Sequence, residues 1–283
     1  MDLTVFAVPA FVLLLVVEWL SYRRSAGDAR GYAGKDTATS LAMGAGSLVV
    51  GLAWGLLTVL AWDALHDLTP LRVEYAWWAW ALAIVGVDFC YYWEHRAGHE
   101  VRLLWASHVV HHSSRHYNLS TALRQTWTGA HHIAFMGPML LLGFPLGMIV
   151  TAYSVNLLYQ FWIHTERIRT LGRPIEFVFN TPSHHRVHHG SNSLYLDRNY
   201  GGILIVWDRL FRSFEPEGEP VDYGLTKNIA TFNPLRVAFH EYAAIARDVR
   251  ASRTWRERFG RVLRGPGWAP RDRAVTGVRA GTA

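Results

Sequence analysis

The hydrophobic positions of the chain are gathered into four long runs. Leu3 to Leu20 is eighteen residues with Glu18 as its only charge. Thr37 to Trp62 continues for twenty-six residues without Asp, Glu, Lys or Arg, and Tyr75 to Trp93 for nineteen with only Asp88. A bilayer crossing needs about 20 apolar residues, so each of the three is a candidate span. Gln125 to Thr165 is forty-one residues without a formal charge, and as one helix it would reach roughly 61 Å, about two hydrocarbon thicknesses. Gly143, Phe144 and Pro145 near its middle supply a turn, which makes a hairpin that enters and leaves on one side. A shallower re-entrant hairpin has the same topological result. The pattern predicts an all-α integral membrane bundle of three spans plus a membrane hairpin.

Charge orients the bundle. Arg23 and Arg24 follow the first run, the reverse of the order in a secretory signal, so the run reads as a retained helix. Residues 21 to 36 carry Arg23, Arg24, Arg30 and Lys35, whereas 63 to 74 carry Asp63, Asp67 and Glu74 against Arg72. Basic loops stay in the cytoplasm, which places the first loop inside and the second outside. Trp77, Trp78 and Trp80 at one end of the third span, with Tyr91, Tyr92 and Trp93 at the other, resemble the two interfacial aromatic belts. Residues 94 to 124 and everything after Thr165 then share the cytoplasmic side. No internal repeat is visible.

Composition narrows the class. With 283 residues, 51% hydrophobic and 18% charged, the chain is neither disordered nor collagen-like, and its single cysteine, Cys90, excludes an internal disulfide. The net charge of +6 belongs to one end: residues 247 to 283 hold ten arginines against Asp248, Glu257 and Asp272, or +7, leaving −1 for the rest. That segment also carries Trp255, Phe259, Val262, Leu263 and Trp268, a mixture suited to an anionic lipid surface. Beyond Arg271 a solvated chain end is an equal reading. No nucleic-acid motif accompanies the charge, so no nucleic-acid partner is expected.

Thirteen of the fifteen histidines fall between positions 95 and 189. His95 and His99 form HxxxH; His108, His111 and His112 form HxxHH; His185, His188 and His189 repeat it. On a helix, positions i, i+3 and i+4 share a face, so each cluster presents imidazoles together, and converging clusters would enclose iron, copper or zinc. All three clusters adjoin membrane segments on one side of the bilayer. Eight such residues exceed the three or four ligands of one zinc, which implies two metal ions. The carboxylate-rich ExxH pattern of ferritin-like bundles is absent. His164, at the end of the hairpin beside Gln160, is a further ligand candidate. His66, His116, His131, His132 and His240 lack the spacing and read as structural, and the role of His184 is open.

The order HxxxH, HxxHH, membrane hairpin, HxxHH resembles the fatty-acid hydroxylase and sterol desaturase superfamily of membrane di-iron enzymes. The stretches EHRAGH (Glu94 to His99), HHSSRHYNLSTALRQ (His111 to Gln125), LLYQFWIHTE (Leu157 to Glu166), NTPSHHRVHHGSN (Asn180 to Asn192) and NYGGILIVWDRLF (Asn199 to Phe211) are similar to its ether-cleaving branch. The resemblance covers roughly residues 75 to 235. It divides the chain into N-terminal membrane helices (1–74), a catalytic region (75–235) and a basic interfacial tail (236–283). It implies ligand roles for His95, His99, His108, His111, His112, His185, His188 and His189, with His164 a ninth. It also implies two irons in a cytoplasmic cap, O2 as oxidant, a membrane lipid as substrate, and an alkyl ether cleaved through a hemiacetal.

Asp88, seven residues before His95 on the same helical face and charged inside a span, is a catalytic candidate expected as a partner of the ligands; the alternative is that it reaches another polar helix face. Asn118, with Glu94, Gln160, Asn180 and Asn192, is expected in a similar supporting role, and Tyr117 to Arg124 line either the substrate mouth or an interfacial contact. The GxG in Gly44 to Gly51 lies inside a span without the strand context of a dinucleotide site, so electrons are expected from an external donor, a small redox protein or a reduced pterin. A lipid desaturase on the same scaffold is the nearest alternative. A metal transporter would place its ligands near the bilayer midplane instead, and a membrane haem protein would face single histidines within spans.

Overall fold

The computed structural model describes residues 3–24 and 31–270, and among them it forms helices and no strand, only two isolated bridges. The helices are α1 (Val8–Arg24), α2 (Gly34–Asp67), α3 (Trp77–Glu100), α4 (Arg102–His112), α5 (Leu119–Ala122), α6 (His132–Phe135), α7 (Gly137–Leu141), α8 (Leu146–Ile163), α9 (Arg173–Val178), α10 (Pro182–His188), α11 (Val206–Leu210), α12 (Pro234–Arg250) and α13 (Trp255–Leu263).

Two of them, α2 and α8, are long and apolar enough to cross a bilayer. The 34 residues of α2 reach about 51 Å, and Leu48, Val49, Leu52, Leu56, Leu57 and Leu60 all point outward and exposed. A helix with an apolar outside suits hydrocarbon rather than water. The first expected span is a helix of 17 residues that starts at Val8 and keeps Val12, Leu13, Val16 and Val17 exposed. The third is the 24-residue α3, whose apolar N-terminal half continues into polar, buried turns carrying Glu94, His95 and His99.

The hairpin turns where expected, but its two limbs differ. Gly143 takes φ of 85°, a Cβ there would stand 2.6 Å from the backbone of Leu71, and its carbonyl accepts the Val73 N–H at 2.9 Å. The descending limb is the single helix α8, which starts after Pro145. The ascending limb is a loop followed by the short α6 and α7. Tryptophans replace the missing helix bonds: Trp54 Nε1 donates to the Trp127 carbonyl at 3.0 Å, Trp62 Nε1 to that of Ile133 at 2.9 Å, and Trp127 Nε1 to that of Met43 at 2.9 Å. Irregular backbone at membrane depth is stable only when such partners satisfy it. These tryptophans therefore work inside the bundle.

The main apolar core lies between the far half of α2, α3, α7 and α8, built on Trp62, Ala83, Val87, Met136, Leu140, Met148 and Ile149. Two buried acids pin the outer helices to it. Glu18, the one acid of α1, accepts the Leu119 N–H at 2.8 Å and the hydroxyls of Tyr32 and Thr165. Asp36 at the start of α2 pairs with the fully buried Arg124 at 3.0 Å. The polar ends of α3, α4 and α8 are thereby gathered at one end of the bundle, with α10 packed against them.

Candidate metal centre

Four elements supply the site. The last turns of α3 carry His95 and His99. The chain reverses at Val101 into α4, which carries His108, His111 and His112. His164 terminates α8, and α10 with its cap carries His185, His188 and His189. α10 is short and completely buried, started by Thr181 in an extended conformation with Pro182 in its first turn, where the missing N–H costs nothing.

These residues form two groups. His95, His99, His108, His112 and His188 make one, His111, His164, His185 and His189 the other, and within each the potential ligand atoms lie within 4.8 Å of one another. The Nε2 atoms of His95 and His112 stand 2.9 and 3.0 Å from that of His108; those of His111 and His185 stand 3.1 and 3.0 Å from that of His164. Nitrogens about 2.1 Å from one shared ion and at right angles to each other would be about 3 Å apart. The Nε2 atoms of His99, His188 and His189 are buried with no hydrogen-bond partner. Buried polar atoms are normally paired, so these orphans fit ligation of a cation, and an all-imidazole set fits a first-row transition metal.

Burial, followed by repulsion among neighbouring imidazoles, pushes His108, His111, His112, His185, His188 and His189 well below the ordinary histidine range. Burial holds His95 down at about 3 and His164 at about 4. The rings are therefore neutral, the form that ligates metal. Several have a fixed tautomer: His95 Nδ1 donates to the Tyr200 carbonyl at 2.8 Å, His188 Nδ1 to that of Arg198 at 2.9 Å, and His164 Nδ1 to that of Gln160 at 2.7 Å. Each bond leaves Nε2 with its lone pair toward the group.

Asp88 is not beside the ligands. Seven residues of helix separate it from His95 by about 10 Å along the axis, and its carboxylate is used otherwise. It accepts the N–H groups of Ile203 at 2.7 Å and Leu204 at 3.1 Å, Trp207 Nε1 at 2.8 Å and Asn156 Nδ2 at 2.6 Å. Gly202 sits so close that a Cβ would stand 2.9 Å from Asp88 and 2.6 Å from Asn156. Asn156 in turn accepts Gln160 Nε2 at 2.6 Å. Asp88 thus fixes the segment after Tyr200 and, through Asn156, the helix turn that ends at His164.

Asn118 is likewise spent elsewhere: Oδ1 caps α5 by accepting the Ser120 N–H at 3.0 Å, and Nδ2 donates to the Gly31 carbonyl at 3.0 Å. Asn180 Nδ2 donates to the Gly201 carbonyl, and Asn192 pins residues 220 and 222. His184 points away from both groups, with Nε2 2.9 Å from Glu176. His131 stands 3.5 Å from Glu94, His132 bonds Thr58, and His240 bonds its own helix. Sequence reasoning missed Asp208, which accepts the Tyr200 and Gly201 N–H groups at 2.8 and 2.7 Å, and the flanking rings Trp105 and Tyr200; Tyr117, singled out in sequence, stands against His164 and His189. The run NYGGILIVWD contained the clue: a buried-type acid soon after a glycine pair.

Residues 80–213 match the fatty acid hydroxylase family model. A fatty acid hydroxylase domain therefore spans these residues. The chain is 41% identical over 270 residues to alkylglycerol monooxygenase of Homo sapiens, covering 94% of this chain and 59% of that protein. It is 47% identical over 216 residues to alkylglycerol monooxygenase of Danio rerio, covering 75% of this chain and 47% of that one. The bacterial ornithine lipid hydroxylase OlsE of Rhizobium tropici is 31% identical over 153 residues, 53% of this chain and 46% of its own. The chain therefore spans about half the length of the alkylglycerol monooxygenases it matches. No solved structure matches it.

Proposed function

We propose that this protein is a membrane-bound monooxygenase that uses O2 to hydroxylate a C–H bond of a lipid. The two histidine groups carry the reading. Five imidazoles, His95, His99, His108, His112 and His188, would hold one iron ion, and four, His111, His164, His185 and His189, the other. Bound iron supplies the redox chemistry that activates O2 toward an unactivated carbon. The protein's part is to gather nine rings, fix the tautomers of His95, His164 and His188 through backbone carbonyls and exclude bulk water by burying the rings.

An alkyl-glycerol ether is the substrate class favoured by the relatives of 41% and 47% identity. A fatty acyl or sterol-like lipid is the broader class. Hydroxylation next to the ether oxygen gives a hemiacetal that collapses to an aldehyde and a free glycerol hydroxyl. The balance is one ether, one O2, two electrons and two protons to one aldehyde, one alcohol and one water, so an external reductant, a reduced pterin or a small redox protein, supplies the electrons. We place α1, α2, α3 and the α8 hairpin in the bilayer, with the metal centre on the cytoplasmic side. The two groups sit where helices end instead of along a path through the bundle, which disfavours a transporter.

The test is metal analysis and turnover of the purified protein with alkylglycerol, fatty acyl and sterol lipids. Close to two irons per chain with O2-dependent loss of the ether is expected. A single zinc, haem absorbance, or no lipid oxidation with both irons present and reductant supplied would overturn the proposal.

A further inference from the structure

The last two described helices carry a face that lipid oxidation does not require. In α13, Trp255, Phe259 and Leu263 recur every four residues, so they form one stripe along the helix. They are 69%, 59% and 55% exposed. Arginines flank the stripe: Arg256 and Arg264 line, with Phe259, Gly260 and Leu263, a shallow cleft of about 360 Å³. Arg258 stacks on Trp255 with its guanidinium 4.8 Å from the ring. The one acid of the helix, Glu257, is turned back to its N-terminus, where it accepts the Arg253 N–H at 2.9 Å.

The opposite side of α13 is fixed. Arg102, the first residue of α4, donates its N–H to the Arg264 carbonyl at 3.0 Å, and its side chain reaches Glu241 at 2.7 Å and Asp248 at 2.6 Å on α12. α12 itself lies against the start of α2, where Met43 packs on Val237 and Ala238. The apolar stripe is therefore clamped beside the end of α3 and the start of α2, the level at which those helices would leave a bilayer. A second protein copy is a poor occupant, because three side chains of at most about 150 to 250 Å² each fall short of the ~800 Å² per partner of a stable interface.

We propose that α13 is an interfacial helix that lays the Trp255, Phe259 and Leu263 stripe into an anionic phospholipid surface and takes lipid phosphate between Arg256 and Arg264. Cationic flanks around an aromatic and aliphatic stripe are what such a surface binds. The proposal is independent of turnover, so its test reads position only.

Full-length protein carrying Phe259→Cys on a Cys90→Ala background, labelled with an environment-sensitive dye, is placed in nanodiscs of phosphatidylcholine alone or mixed with phosphatidylglycerol. A blue-shifted emission quenched by brominated acyl chains is expected in the anionic discs. It should weaken severalfold with Arg256→Gln and Arg264→Gln together, with Trp255→Ser, or at high salt. Identical spectra in both discs overturn the proposal. So does a shift reproduced in detergent by inorganic phosphate, which would make the cleft a free-anion site.

Discussion

The two imidazole groups are alike in chemistry and different in how they are held. Three rings of the five-membered group lean on one irregular segment: His95 on Tyr200, His188 on Arg198, and His99, whose Nδ1 lies 3.5 Å from Asp197. That segment includes Asp197 and Asn199 at φ of 59° and 55°, a conformation few residues adopt, and it keeps its shape through distant acids. The four-membered group depends on helices. His164 is anchored on Gln160 of its own helix, and His185 and His189 ride one turn apart on α10. Nature of support, not number of ligands, should decide which group fails first.

The largest effect comes from removing a ring in each group separately. His188→Ala should empty the first group and His185→Ala the second, each lowering the metal content from two ions toward one and activity by more than about 100-fold, beyond the usual cost of an outer-shell change. Element analysis with turnover measures both. If either variant loses both ions, the groups are one cooperative unit and the comparison fails.

Acid acts on both groups at once. In metal-stripped protein the unfolded chain's imidazoles take up protons below about 6.5, whereas the buried rings stay neutral, with His95 down at about 3 and His164 at about 4. The unfolded state then binds more protons, so stability falls as pH drops below about 6.5, by about 1.4 kcal/mol per pH unit for each proton involved. Thermal melts of the stripped protein between neutral pH and pH 5 should show it. A flat profile would mean that the groups are open to water without metal.

The gathering of the histidines was legible because helical spacing records which side chains share a face, and the spacing of His95/His99, His108/His111/His112 and His185/His188/His189 does so directly. The turn at Gly143 and Pro145 was legible for the same local reason. The broken ascending limb was not, because its stability rests on Trp54, Trp62 and Trp127, indoles whose partners are far apart in sequence. Asp88 was legible only in part. A shared helical face with His95 fixes direction, but not the two turns of distance that carry Asp88 down to Ile203, Leu204 and Trp207.

Those long-range acids offer a sharper cut between the groups. Asp208→Ala orphans the Tyr200 and Gly201 N–H groups behind the first group and frees the Ser213 hydroxyl, and it touches none of the bonds that hold His164. It should weaken the first ion about 10- to 100-fold and leave the second in place. Asp88→Ala should weaken both, because Asp88 bonds the same segment and also Asn156, which holds Gln160 behind His164. Metal titration of the two variants distinguishes the cases. Equal weakening of both ions by Asp208→Ala would show that the supports are shared.

The smallest effect separates nearness in sequence from nearness in chemistry. Asn118 lies six residues after His112, yet its side chain bonds Ser120 and Gly31 and no imidazole among the described residues. Asn118→Ala removes a helix cap, a change that typically costs about 1 kcal/mol. Both ions and the turnover per iron should survive, with only a lower melting temperature. The hydrogen bond to Gly31 also ties the loop after α1 to α5, so the loss should be larger than for Thr254→Ala, a cap at the start of α13 that donates to no distant carbonyl. Full stability with turnover abolished would place Asn118 among the groups that meet the substrate, and the line drawn between a metal centre and its scaffold would have to move outward to include it.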